Sequence, residues 1–205
     1  MSIKDGLKLI GSPAKILDCS RDDLPEFFKE MGFKTGVEIG VDKGDFTQIL
    51  AKSGLHIYGI DPWKIYKDYG DSNYQEKLNS QYEHAKRTLA PYLNYTIIRK
   101  ASMDAVNDFE DESLDFVYID GNHHFKYVAE DIYEWSRKVR KGGVIAGHDY
   151  IYSKSTSSLG VCHVIHVLYS YTKAYDIKNW YVLGRTAMIE GEKRDRCRSW
   201  MWIKT

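Results

Sequence analysis

The sequence predicts an α/β fold: a doubly wound sheet, mostly parallel, with an antiparallel C-terminal end. Three observations predict it. Five short apolar runs alternate with segments whose apolar residues recur at helical spacing. One of those runs, with Phe116, Val117 and Ile119, has the near-continuous apolar character of a strand buried on both faces. The tail offers three short strand candidates in a row, Ile177 to Leu183, Thr186 to Ile189 and Ser199 to Lys204, which suits antiparallel pairing.

The elements follow in order. Ser20-Arg-Asp-Asp23 reads as a capping box, and Leu24, Phe27, Phe28 and Met31 fall at helical spacing before Gly32. Thr35 to Gly40 reads as a strand, Gly40 to Gly44 as a turn, and Phe46, Ile49 and Leu50 as the apolar face of a helix. Leu55 to Ile60 is a second strand closed by Asp61-Pro62. Strand, helix and strand within about 30 residues make a βαβ unit with a right-handed crossover. Trp63 to Asn73 reads as a mobile loop. Tyr74, Leu78, Tyr82, Ala85 and Leu89 then form a helical face stopped by Pro91. Tyr95 to Arg99 and Leu114 to Asp120 are further strands. The stripe Phe125, Val128, Ala129, Ile132, Trp135, Val139 is the clearest helix, with Gly142-Gly143 expected to end it. Val144 to Gly147 is the fifth strand. After a Ser-rich loop from Ser153 to Ser158, a last helix carries Val161, Val164, Ile165, Leu168 and Tyr171. The expected organisation is one domain over 1–205: a helical N-terminal extension (1–33), a core (34–150), and a C-terminal helix with antiparallel strands (151–205).

Composition excludes several classes. A chain of 205 residues with 43% hydrophobic and 28% charged content suits one soluble globular domain. Its 29 Lys and Arg balance 29 Asp and Glu, which argues against bulk capture of nucleic acid. The 3 cysteines, Cys19, Cys162 and Cys197, lack metal-cluster or disulfide spacing, and neither a signal peptide nor a membrane span is legible. A cytoplasmic protein with no membrane partner is expected. Aromatic residues make up 14% of the chain, 16 of them Tyr, a surplus that suits a core, an interface or a ligand pocket.

Ligands of open α/β sheets sit at the carboxyl ends of the strands. The first such end reads Val37-Glu38-Ile39-Gly40-Val41-Asp42-Lys43-Gly44, which is neither GxGxxG nor GxxxxGK[ST]. Glycines there let backbone approach a ligand, and the following helix start favours a negative group. ExGxxxG, the acid Asp61 ending the second strand, and an apolar strand ending in Asp120 together resemble the class I S-adenosylmethionine-dependent methyltransferases with their Rossmann-like sheet. The string Asp115-Phe-Val-Tyr-Ile-Asp120-Gly-Asn-His123, then Asp131, Trp135, Gly142-Gly143 and His148-Asp149-Tyr150, is similar to a subfamily related to metal-dependent small-molecule and macrocin-type sugar O-methyltransferases.

The resemblance implies roles. Glu38 would attract the cofactor's ammonium, and the Gly40 to Gly44 bend would contact its methionine and ribose. Asp61, 21 residues after Gly40, would accept from the ribose hydroxyls. Pro62 and Trp63 would cover one adenine face, with Ser102 and Met103 on the other. Asp120 would sit beside the reacting methyl. Asp120, His148 and Asp149 would hold Mg²⁺ or another divalent ion, and His123 would be the general base. Singly, Asp61-Pro62 and Asp120-Gly121 also read as turns, His123-His124 as a helix start, and His163 and His166 as surface residues. Their joint occurrence at successive strand ends favours an enzyme acting on a small-molecule acceptor. A non-catalytic module that binds S-adenosylmethionine or S-adenosylhomocysteine is the alternative. Tyr66, Tyr69, Tyr74, Tyr82, Tyr150 and Tyr152 are expected to border the acceptor pocket. Trp200 and Trp202, in the last strand, leave a homodimer contact open.

Overall fold

The computed structural model describes residues 1–65, 75–152, 161–187, 189–195 and 197–205. Its strands are β1 (Ala14–Ile16), β2 (Thr35–Ile39), β3 (His56–Ile60), β4 (Tyr95–Ile98), β5 (Leu114–Ile119), β6 (Val139–Gly147), β7 (Tyr181–Leu183) and β8 (Ser199–Ile203). Its helices are α1 (Ile3–Gly6), α2 (Leu24–Glu30), α3 (Asp45–Lys52), α4 (Gln75–Leu89), α5 (Ser102–Ala105), α6 (Phe125–Lys138) and α7 (Val164–Ala174). The strands form one sheet in the order β1-β7-β8-β6-β5-β2-β3-β4. Only β8 runs antiparallel to its neighbours, between β6 and β7. The sheet is therefore mostly parallel with an antiparallel C-terminal end, as the apolar runs predict.

The strand order reverses at β2, which pairs in parallel with both β3 and β5. This is the switch point at which open α/β sheets hold ligands. Register aligns the strand ends: Ile39 is level with Ile60 and Ile119, Ile60 with Ile98, and Ile119 with Gly147. Gly40, Asp61, Arg99, Asp120 and His148 consequently emerge side by side along one edge. Backbone bonds pin the row, from Gly40 N to Ile60 O at 2.8 Å, Asp120 N to Ile39 O at 2.8 Å and His148 N to Ile119 O at 3.0 Å.

Alternating side chains bury both faces. Val37, Ile39, Val117 and Ile145 point toward α6 and α7, while Phe116, Tyr118, Val144 and Ala146 point toward α2 and α3. In α6, Val128, Ile132 and Trp135 are buried, each stabilising by about 1.5–3 kcal/mol. The N-terminus of α6 has no side-chain cap of its own. His163, expected at the surface, supplies one by accepting from Phe125 N at 3.0 Å.

Several expectations need correction. The helix α6 ends at Lys138, not at Gly142, because Val139 already has extended backbone and pairs with Leu114. Gly142, at φ +75°, makes the irregular turn inside β6, and Gly143 lies so close to the Asp115 carbonyl that a Cβ would collide with it. The N-terminal extension contains a strand, β1, paired with β7. Thr186 to Ile189 forms no strand among the described residues. Trp63 is not in a loose segment: it is 1% exposed and donates from Nε1 to Asp42 O at 2.8 Å. Trp200 and Trp202 are buried in the core between β6 and β7, so neither offers a dimer surface. Tyr66, Tyr69, Tyr74 and the Ser153 to Ser158 loop lie outside the described residues. Cys19, Cys162 and Cys197 form no disulfide. Among the described residues no helix is long and apolar enough to cross a membrane.

Candidate active site

A cleft of about 1190 Å³ opens over the aligned strand ends. Of the residues expected to bind the cofactor, Glu38, Gly40, Asp61, Pro62, Trp63, Ser102, Met103 and Asp120 line it, as does His123. Gly44 does not. At φ +84° it is the N-cap residue of α3 and packs against Ala85 and Leu89, so its lack of a side chain serves helix packing. Gly40, at φ +88°, is needed for the close approach itself, since a Cβ there would overlap the Asp120 carbonyl oxygen.

Glu38 is 1% exposed and accepts a hydrogen bond from Thr47 Oγ1 on α3. Burial pushes its carboxyl up to about 8, although the Thr47 bond favours the charged form. Asp61 is turned toward the first bend: Oδ2 accepts from Val41 N and Asp42 N at 3.1 Å each, and Oδ1 from Trp63 N at 2.8 Å. Burial raises its pKa while those three amides oppose the rise. Asp61 thus ties the end of β3 to the turn after β2. Oδ1, which has a single amide donor, keeps a lone pair for a ligand hydroxyl. Trp63 packs at a tilt against Tyr82, with centroids 4.9 Å apart.

On the far wall, Ser102 Oγ donates to Asp131 Oδ1 and accepts from Trp135 Nε1 at 2.8 Å. Asp131 is 4% exposed, and burial lifts its carboxyl to about 7. In the sequence it belongs to the string that resembles the O-methyltransferase subfamily, and in the fold it lines the cleft.

The end of β5 and the end of β6 meet in a knot of charge. His123 Nε2 lies 2.8 Å from Asp149 Oδ2 and 3.8 Å from Asp120 Oδ1. His148 Nδ1 is 3.7 Å from both Asp120 Oδ1 and Asp149 Oδ1, while its Nε2 faces Asp195 Oδ2 at 3.5 Å. Burial works against a charge on His123, but Asp120 and Asp149 outweigh it and hold its pKa well above the ordinary value. His148 is likewise penalised by burial and carried up to about 9 by Asp149 and Asp195. Burial would raise Asp149, yet the two imidazoles bring it well below the usual carboxylate range. Asp149 sits at φ +56°, a left-handed conformation that Asp tolerates better than most residues and that turns its carboxylate back onto His123. Single ligand atoms of Asp120, His123 and Asp149 lie within 4.8 Å of one another, a spacing that could hold a metal ion. His123 therefore stands in the cluster where His148 was expected, and His148 stands between Asp120, Asp149 and Asp195.

Two residues of this knot carry no sequence signal. Asp195 arrives from the segment between β7 and β8, and Arg21 from the short turn ahead of α2, with Arg21 Nη1 donating to Asp120 Oδ2 at 3.2 Å. Only tertiary contact brings either one here.

A doubly wound sheet whose switch-point cleft is lined by an acid, a tight glycine turn and a second strand-end acid defines a class I nucleoside-cofactor fold. Residues 37–150 match the methyltransferase domain family. The chain belongs to that family and carries an S-adenosylmethionine-dependent methyltransferase domain, the enzyme class its motifs resemble. It is 28% identical over 124 residues to the uncharacterized protein y4gI of Sinorhizobium fredii, a match covering 55% of this chain and 13% of that protein. The fold is shared with the O-methyltransferase TomG of Streptomyces achromogenes, solved with S-adenosylmethionine (TM-score 0.62, 11% identity, 90% of this chain and 79% of that one). It is equally shared with a putative rRNA-methylase of Clostridium thermocellum (TM-score 0.60, 14% identity, 92% and 98%).

Proposed function

We propose that this chain moves the methyl group of S-adenosylmethionine to a hydroxyl oxygen of a small hydroxylated acceptor, such as a sugar or a phenol, in the cytoplasm. The observation that carries the reading is the Asp120, His123, Asp149 cluster beside the aligned strand ends. Methyl transfer is an in-line displacement, so the protein's task is to align the acceptor oxygen and manage its proton. Asp120 is the member of the cluster that lines the cofactor cleft together with His123, which suits a group that faces both reactants.

The donor set fits a divalent cation: two carboxylates and one imidazole, with His123 Nε2 buried and without a well-aligned hydrogen bond despite facing both acids. An ion held by Asp120, His123 and Asp149 would lower the pKa of an acceptor hydroxyl. His148 then faces both aspartates through Nδ1, with Asp195 on its Nε2. In a metal-free version His123 takes the acceptor proton with Asp149 2.8 Å away to balance the imidazolium, and the raised pKa of His123 confines that route to alkaline pH.

The test is transfer of a labelled methyl group to a panel of catechols and sugars, with Mg²⁺ or with EDTA. Transfer that stops in EDTA and returns with Mg²⁺ is expected. Asp120→Asn should lower kcat/KM by about 100-fold or more while S-adenosylhomocysteine still binds. EDTA-resistant transfer would remove the metal and leave His123 as the base. Cofactor binding without transfer to any acceptor would make the protein a non-catalytic binding module instead.

A further inference from the structure

Arg21 has no role in the family signature, and it lies outside the matched span of residues 37–150. It nevertheless lines the cofactor cleft. Its guanidinium rests over the Phe46 ring, 5.1 Å from the centroid, in the first turn of α3. Nη1 donates to Asp120 and Tyr118 also engages the guanidinium, which leaves part of a five-donor fork for a ligand. Burial works against the charge, but Tyr118 and Asp120 keep the group cationic. The side chain is held, not floating. The turn that bears it is closed by the Ser20–Asp23 capping box, and Asp23 in turn pairs with Lys193.

Position along the sheet says which ligand group would meet it. Glu38, Tyr118 and Asp120 alternate with residues facing α6, so they share the α3 face of β2 and β5 with Arg21. Electrostatic coupling runs among Arg21, Glu38 and Asp120. A methionine head carries its ammonium and carboxylate on one carbon, so its receptor needs an anion and a cation close together. Glu38 is the anion at the Gly40 turn. Of the other cations lining the cleft, Arg99, Lys100 and Lys126 are engaged with Asn79, Asp108 and Glu130, and Lys43, Lys64 and Lys77 are exposed to solvent, whereas Arg21 is half-buried.

Resting on the cofactor reading above, we infer that Arg21 binds the α-carboxylate of S-adenosylmethionine, pairing with Glu38 to match the zwitterionic head. The N-terminal segment is thereby part of the cofactor site.

Calorimetry with two ligands tests it: S-adenosylhomocysteine and its decarboxylated analogue, which keeps the ammonium and lacks the carboxylate. The wild-type chain should prefer the first by about 10- to 100-fold, the worth of a charge-assisted hydrogen bond in a partly desolvated site. Arg21→Gln should erase that preference by weakening S-adenosylhomocysteine alone, and Arg21→Lys should restore part of it. Asp120→Asn should keep the preference. Equal weakening of both ligands in Arg21→Gln, or loss of the preference in Asp120→Asn, would mean that Arg21 acts only through Asp120 or the fold and would overturn the inference. So would unchanged binding of both ligands with a raised acceptor KM. If the wild-type chain binds neither ligand, the cofactor reading itself fails, a result that the variants cannot mimic. A melting curve for each variant confirms that it is folded.

Discussion

At the scale of single residues, Glu38 is where chemistry and stability conflict. Its carboxyl titrates near 4.5 in an ordinary setting and near 8 here. Between those values the native state binds a proton that the unfolded chain has released, so folding stability falls as pH rises from about 4.5 to 8. Glu38→Gln keeps the size and the acceptor for Thr47 but removes the titration. Urea denaturation should therefore show variant and wild type close near pH 5, with the variant gaining by roughly 1–3 kcal/mol toward pH 9. Cofactor binding should move the opposite way. An arriving ammonium favours ionised Glu38, so wild-type affinity for S-adenosylhomocysteine should rise from pH 6 to 8, by at most about tenfold per unit, with release of a proton visible in buffers of different ionisation heat. Glu38→Gln should bind more weakly and lose that slope. A flat wild-type affinity across this range would sink the assignment of Glu38 to the ammonium.

At the scale of elements, most of the sheet is legible because buried parallel strands are apolar throughout and end abruptly in Gly or Asp. Glu38, Gly40, Asp61 and Asp120 could be named for that reason, and register then places the last three side by side. What escapes is whatever depends on contact between distant segments. The strand β1 has three residues and no pattern of its own, and pairing with β7 is what makes it a strand. The end of α6 escapes because Val139 continues the helical stripe in sequence, while its pairing with Leu114 takes it into β6. Arg21 and Asp195 escape because nothing near them in sequence refers to a site. The capping box was readable, and its consequence was not: Ser20 accepts from Asp22 N and Asp23 Oδ2 accepts from Ser20 N at 2.8 Å, which fixes the turn that aims Arg21 at Asp120. Ser20→Ala should cost about 0.5–2 kcal/mol in denaturation. It should also weaken S-adenosylhomocysteine several-fold in calorimetry while sparing the decarboxylated analogue. Loss of stability with full selectivity for the carboxylate would show that the cap serves folding alone.

At the scale of the whole molecule, the same sheet is found in an O-methyltransferase and in a putative rRNA-methylase, so architecture does not choose between a small acceptor and RNA. Charge does discriminate. RNA methylation requires that the surface around the cleft neutralise several phosphates, each displacing counterions and adding to the salt dependence of binding. Here 29 basic residues are matched by 29 acidic ones over the chain. The cleft itself repeats the balance: Lys43 and Lys77 stand beside Asp42 and Asp45, and Arg99, Lys100 and Lys126 are held by Asn79, Asp108 and Glu130. Among the described residues, acidic side chains line the cleft at least as densely as basic ones. Fluorescence anisotropy with a labelled RNA hairpin at 50 mM salt should accordingly show no saturable binding tighter than roughly 10 µM, the range of non-specific association. Sub-micromolar affinity that collapses by about a thousandfold at 200 mM salt would require some six phosphate contacts and would move the acceptor from a small hydroxylated molecule to RNA. The knot makes the first outcome the expected one, because Asp120, Asp149 and Asp195 balance the protonated His123 and His148 and the Arg21 guanidinium, which leaves no net positive charge at the point of transfer to draw in a phosphate backbone.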